Sequence, residues 1–191
     1  MDLNSAIKTR KSVRRFLDRK PDWRKVVKAI DAARFAPAAG NQFALKFVFV
    51  RDKDKVKKLA EASQQSFVKQ APFAVVVVSD NAKLERSYGE HGEKYTRQQA
   101  GAAIENFLLA LNAQKLATCW IGAFVEEQVK RVLEIPDSDN LTIEAIFPVG
   151  METRAAAGRG KSKPDLENIL YFDKWKNKYM EPQVKIGMEN A

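Results

Sequence analysis

Residues 9–16 read TRKSVRRF and set Arg10, Lys11, Arg14 and Arg15 close together, with Ser12 among them and Phe16 closing the run. Cations of this kind around a hydroxyl suit a phosphate, because arginine offers forked donors and serine adds a short hydrogen bond. A second stretch, FAPAAGNQ (35–42), is a tight loop of small residues between Pro37 and Asn41. Small side chains let a flat ligand approach the backbone, and the Asn41 amide can pair with a carbonyl and a ring N–H together. A third, CWIGAF (119–124), puts Gly122 where no side chain obstructs its backbone N–H. A fourth is the basic run GRGKSKPDLENILYFDKW from residue 158.

Several other chemistries are excluded. Cys119 is the only cysteine and His91 the only histidine, which rules out a disulfide framework, a multi-thiolate metal site and a histidine triad within one chain. One cysteine and no apolar leader also point to the cytoplasm. Cys119 sits beside Trp120 in an apolar context with no nearby histidine to activate it, so it reads as structural. GRGKS (158–162) imitates the end of a phosphate-binding P-loop, but Ala155 stands where the first glycine belongs and Pro164 blocks the helix that should follow. After the apolar run FAVVVVS comes DNAKLERS, not the glycine fingerprint of a dinucleotide-binding fold. The net charge of +9 attracts polyanions and phosphorylated small molecules, although scattered lysines that solvate helices account for most of it.

These residues need a scaffold of helices and strands. The pattern predicts a short helix over 2–10 and a firmer one over 21–36, where Trp23, Val26, Val27, Ile30 and Ala33 recur at helical spacing and Pro37 ends the run. LKFVFVR (45–51) alternates as a strand, 53–69 reads as helix, and FAVVVVS (73–79) as a buried strand. The longest helix is expected from Glu93 to Lys115, with a small, apolar centre that a sheet or a second subunit must cover. A short strand and turn over 117–124, a helix over 125–135 closed by Pro136, and a strand over 141–150 complete the order. His91 and Tyr95 read as surface residues near the start of the long helix. Alternating helices and strands favour a sheet flanked by helices, without fixing strand order.

Five segments in this order resemble the nitroreductase family of FMN-dependent oxidoreductases. RKSVRRF (10–16) stands against the family's R-R-S-x-R-x-F, and APAAGNQFAL (36–45) against A-P-S-A-x-N-x-Q-P-W. AAIENFLLAL (102–111), LATCWIGA (116–123) and KPDLENILYFDKW (163–175) match its central helix, its W-I-G turn and its C-terminal motif. The chain departs from the pattern at Ala38, and at Phe43, Ala44 and Leu45, where the family often has Gln, Pro and Trp.

The resemblance implies an α+β nitroreductase fold, with a central mixed or antiparallel sheet flanked by helices. It implies one FMN-binding domain over 1–180, a tail over 181–191, and an intertwined homodimer with two FMN sites at the interface. Arg10, Lys11 and Ser12 match the positions that hold the FMN phosphate and ribityl chain, and Arg14 the cation near the flavin pyrimidine. Pro37, Ala38, Ala39 and Asn41 match the loop beside the ring, usually supplied by the other subunit. Ile121 and Gly122 match the turn whose backbone N–H points at flavin N5. Arg159, Lys161 and Lys163 match basic residues that close on the phosphate, and Gln65 a pyrimidine contact. The implied reaction is ping-pong hydride transfer from NADH or NADPH to FMN and on to a nitroaromatic, a quinone or a similar acceptor. Two alternatives stand beside it. One keeps the fold and FMN but serves dehalogenation or flavin breakdown. The other is a non-catalytic nucleic-acid binder, for which Tyr171, Phe172, Trp175 and Tyr179 interleaved with cations would be the surface.

Overall fold

The computed structural model describes residues 1–153 and 163–179. Its contacts divide the chain into two units, residues 1–158 and 159–191.

Three helices of the first unit begin on an aspartate. Asp2 accepts from the Ser5 backbone at 3.0 Å ahead of α1 (Leu3–Thr9), Asp22 from Arg24 at 3.0 Å ahead of α2 (Trp23–Ala33), and Asp52 from Lys55 at 2.9 Å ahead of α3 (Lys53–Ala62). Each carboxylate satisfies a donor that the first turn leaves open. The same bonds favour the charged forms: those from Ser5 hold Asp2 at a pKa of about 2, those from Arg24 lower Asp22, and the Lys55 backbone bond lowers Asp52.

Four strands, β1 (Leu45–Val50), β2 (Phe73–Asp80), β3 (Ala117–Thr118) and β4 (Leu141–Gly150), pair antiparallel in the order β1-β2-β4-β3. The β2 run FAVVVVS explains the layers. Successive side chains of a strand point to opposite faces. Phe73, Val75 and Val77 enter one core with Val26, Ala29, Ala103, Ile104, Phe107 and Phe147. Ala74, Val76 and Val78 enter another with Val56, Leu59, Val129, Ile143 and Ile146. The first core packs the sheet against α2 and α5 (His91–Ala113), the second against α3 and α6 (Glu126–Leu133). A strand buried on both faces is therefore apolar without alternation.

The expected helix over 53–69 is two elements. Ser63 Oγ bonds back to Leu59 O at 2.8 Å, Gln64 takes the left-handed conformation at φ 52°, and a 3-10 turn follows over Ser66–Gln70. The segment after β2 contains α4 (Ala82–Tyr88), to which the sequence pattern assigns no element. The long helix runs His91–Ala113, two residues ahead of its expected place, and of the short strand and turn expected over 117–124, Ala117 and Thr118 form the strand and Ile121 makes an isolated bridge to Ile146.

The second unit carries α7 (Leu166–Ile169). There Tyr171 meets Trp175 edge-on at 4.7 Å, and Lys178 Nζ lies 4.1 Å from the Tyr171 ring centre. No helix of the described residues is long and apolar enough to cross a membrane.

Candidate active site

The basic segment leaves α1 extended and is laid against the sheet. Ser12 bridges Thr118 in parallel, and the Val13 N–H donates to Thr118 O at 2.8 Å. Phe16 bridges Glu152, and the Leu17 N–H donates to Met151 O at 2.8 Å. Val13 and Phe16 are the buried anchors, packed with Ala71 and Ala117. Gly150 makes this fit possible: a Cβ there would lie 2.9 Å from both Phe16 and Pro72.

With the apolar residues turned inward, the polar ones are left at one edge. Arg10 is largely buried, its Nε 3.5 Å from Glu105, and Lys11 Nζ lies 2.8 Å from Glu152. Ser12, Arg14 and Arg15 are exposed. The Arg14 guanidinium sits 5.9 Å from the ring centre of Phe67, so the 3-10 turn that begins after Gln65 stands beside the cluster. Gln65 itself is half-buried.

Buried polar atoms without a hydrogen bond concentrate here. Among the described residues they are Arg10 Nε, Thr118 Oγ1, Glu152 Oε1, Thr153 Oγ1 and Asn81 Oδ1. All except Asn81 belong to the basic segment or to residues hydrogen-bonded alongside it: Thr118 receives Val13, and the Thr153 N–H donates to Arg15 O at 3.3 Å. Orphaned polar groups are costly and rare in a folded protein, so this edge of the sheet holds hydrogen-bonding capacity that the described residues leave unused. Thr118, Glu152, Thr153 and Glu105 were not among the sequence candidates. Backbone pairing brings Thr118, Glu152 and Thr153 to residues 10–15 and α5 brings Glu105, and no short motif encodes either.

Ile121 and Gly122 continue from β3. Ile121 is buried and exchanges both backbone bonds with Ile146 at 3.0 Å, which fixes the turn. Gly122 is exposed, and its N–H makes no hydrogen bond among the described residues. The nearest atom to a Cβ there would be Trp120 Nε1 at 4.0 Å. Trp120 stacks edge-on against Phe147 at 5.6 Å. Cys119 is buried, with its Sγ 3.7 Å from Trp120 O, as a structural thiol should be.

The loop with Pro37, Ala38, Ala39 and Asn41 is built differently. It makes a short 3-10 turn over Ala39–Asn41 with Gly40 at φ 55° and Asn41 at φ 56°. Side chains from α4 and α5 tie it down. Gln99, only 3 % exposed, accepts from the Ala44 N–H at 2.7 Å and donates to Gln42 O at 3.1 Å. Gln42 donates to Ser87 Oγ at 3.0 Å. Tyr88 packs its hydroxyl against Gly40, where a Cβ would come within 2.5 Å of it. Tyr95 meets Tyr88 edge-on at 5.2 Å and is half-buried, while His91 is exposed. Gln99 and Tyr88 were also missed by the sequence reading; neither carries a signal apart from the fold.

Arg10, Lys11, Ser12, Arg14, Gln65, Ile121 and Gly122 thus belong to one connected neighbourhood around β3 and the end of β4. No hydrogen bond or ion pair among the described residues joins it to Pro37–Asn41. Arg159 and Lys161 lie outside the described residues, and Lys163 is an exposed residue of the second unit. A separate groove between α3 and α6, lined by Lys55, Lys58, Arg131 and Glu134 among others, contains none of the candidates.

The model of the nitroreductase family matches residues 7–69 and 62–151. The chain belongs to the nitroreductase family, whose fold it shares, and it is an oxidoreductase of that family. A solved nitroreductase family protein from Clostridium novyi NT is 30 % identical, with a TM-score of 0.73 and 96 % of this chain and 100 % of that one covered. A protein of Methanothermobacter thermautotrophicus, provisionally named NADH dehydrogenase/NAD(P)H nitroreductase, is 29 % identical over 92 % of this chain and 88 % of its own length. An iodotyrosine deiodinase of Thermotoga neapolitana is 25 % identical, with 75 % of this chain and 84 % of that protein covered.

Proposed function

We propose that the chain is an FMN-dependent NAD(P)H oxidoreductase, acting as a homodimer whose two flavin sites each draw residues from both copies. The observation that carries the reading is the cluster of unpartnered polar atoms beside Ser12. Among the described residues the buried Arg10 Nε and the Thr118 and Thr153 hydroxyls make no hydrogen bond, Arg10 having only its 3.5 Å ion pair with Glu105, and a phosphate is an acceptor on every side. They fit the phosphate end of FMN, and Arg10, Lys11 and Ser12 would hold it with them.

When bound, FMN supplies a two-electron carrier between NADH or NADPH and an acceptor such as a nitroaromatic or a quinone. The chain's own part is positioning and charge. Arg14, exposed and braced on Phe67, would stabilise negative charge at the flavin pyrimidine, with Gln65 nearby. Gly122 offers an exposed N–H, free among the described residues, on a turn fixed by the Ile121–Ile146 pair. Pro37, Ala38, Ala39 and Asn41 would flank the ring from the second copy. Their separation from residues 10–15 within one chain supports that division. So do the exposed apolar side chains of Leu3, Ile7, Trp23, Val27 and Phe35, which a single copy leaves uncovered. In the same reading, the C-terminal unit, described over 163–179, would wrap the other copy.

A second reading keeps the flavin and changes the acceptor to a halogenated aromatic. The likeness to the Thermotoga iodotyrosine deiodinase favours it. It fits the departure at Phe43, Ala44 and Leu45 from the family's Gln, Pro and Trp.

The visible spectrum of the purified protein, followed by NADPH without oxygen, tests the proposal. Flavin bands bleached by the nicotinamide support it. Protein that stays colourless after incubation with excess FMN refutes it. Turnover with nitrofurazone, menadione and an iodophenol as competing acceptors then separates the two readings.

A further inference from the structure

Two cations of the basic segment already face carboxylates of the same chain. Lys11 Nζ lies 2.8 Å from Glu152 Oε1, and Arg10 Nε lies 3.5 Å from Glu105 Oε1. Glu152 Oε1 is buried, yet the pair is not aligned as a hydrogen bond, and neither is that of Arg10 Nε. These are close ion pairs whose hydrogen-bonding capacity is unspent.

The groups around them differ in what they offer an incoming anion. Arg10 Nε and the hydroxyls of Thr118 and Thr153 can donate. Glu152 cannot while ionised; it is the one member of the orphan cluster that repels a phosphate. It also holds the ammonium of Lys11, which a phosphate would need. Glu105 stands in the same relation to Arg10, at a longer distance and with its side chain 49 % exposed against 27 % for Glu152. Solvent screens the more exposed charge more strongly.

We infer that Glu152, and Glu105 to a smaller extent, are resident counter-ions of the phosphate site: they compete with the flavin phosphate for Lys11 and Arg10, and so set how far FMN is preferred over phosphate-free flavin. The inference rests on the flavin reading above and adds a regulatory feature to that site. Filling the site exchanges one anion for another, so the gain from the phosphate is only the difference between the two. The counter-ions also keep the cations from being left unpaired when no flavin is bound.

The test is equilibrium binding of FMN and of riboflavin to apoprotein prepared from the full chain, followed by quenching of flavin fluorescence. Glu152→Gln keeps the shape of the side chain and removes its charge. It should tighten FMN by about three- to tenfold, the worth of one partly screened charge at this range, and leave riboflavin within about twofold. Glu105→Gln should act in the same direction by about twofold or less. Riboflavin binding reports that each variant retains its ring site. If Glu152→Gln leaves FMN unchanged or weakens it while riboflavin still binds, Glu152 only orients Lys11 and the inference is overturned. Should Glu152→Gln lose both flavins, Glu105→Gln decides: no tightening there overturns the inference too. Wild-type protein that binds neither flavin overturns the cofactor reading and this inference with it.

Discussion

The basic segment and the small-residue loop are both short, irregular and rich in candidate residues, yet the fold secures them by opposite means. Residues 10–17 are held by main-chain bonds to Thr118 and Met151 and by two buried anchors, Val13 and Phe16. Their polar side chains take no part in holding the segment to the sheet and are left at its edge, where Arg10 and Lys11 face Glu105 and Glu152. Residues 37–44 have their geometry imposed from outside, by Gln99, Ser87 and Tyr88. One region uses backbone to release side chains; the other uses side chains to present backbone and small residues. That contrast matches a phosphate, which needs charged donors, and a flat ring, which needs close approach.

The comparison can be broken most severely at Gln99. Gln99→Ala leaves the Ala44 N–H and the Gln42 carbonyl unpaired next to the core, and should cost about 3 kcal/mol of stability. Urea titration should show this as a lower midpoint with an unchanged slope. Gly40→Val comes next. A β-branched residue is strained at φ 55°, and its Cβ would press on the Tyr88 hydroxyl, for about 2 kcal/mol in all. Pairing it with Tyr88→Phe should recover the steric part, read as a positive coupling in a double-mutant cycle.

Arg10→Ala sharpens the other side. It should weaken FMN by about tenfold to a hundredfold and riboflavin hardly at all, because a charge-assisted bond to phosphate is lost and the ring contacts are not. Equal losses for the two flavins would place Arg10 away from the phosphate. The smallest effect is at the helix caps. Asp2, Asp22 and Asp52 have pKa values lowered by their cap bonds, so their contribution is complete above the ordinary aspartate value near 4. It fades as pH falls from there toward about 2, the value for Asp2. Thermal melts over that window should show Asp52→Asn losing less stability on acidification than the wild type.

Much of this was legible in the sequence. The apolar run of β2 announces a buried strand, and the helical spacing of Trp23, Val26, Val27, Ile30 and Ala33 announces α2. The basic cluster, the small loop and the W-I-G turn each show through residue type alone. What stayed hidden depends on long-range pairing. The helix break at Gln64 has no glycine or proline to mark it; a residue in left-handed conformation and the Ser63 hydroxyl suffice. Thr118 and Thr153 look like ordinary residues until the parallel bridge at Ser12 places the first, and the bond from the Thr153 N–H to Arg15 O the second, beside the cations. Gln99 lies far from the loop in sequence and touches it only because α5 passes behind it.

The central claim is that segment 10–15 of one copy and loop 37–41 of another share a flavin. The most direct measurement is the FMN content of mixed dimers, formed by co-expressing differently tagged Arg10→Ala and Gly40→Val chains and purified on both tags. If the site is shared, one of the two sites in each mixed dimer has both regions intact, and the dimer should retain about one FMN. If each site is built within one chain, every site carries a defect, and a mixed dimer as empty as the parent variants would contradict the account.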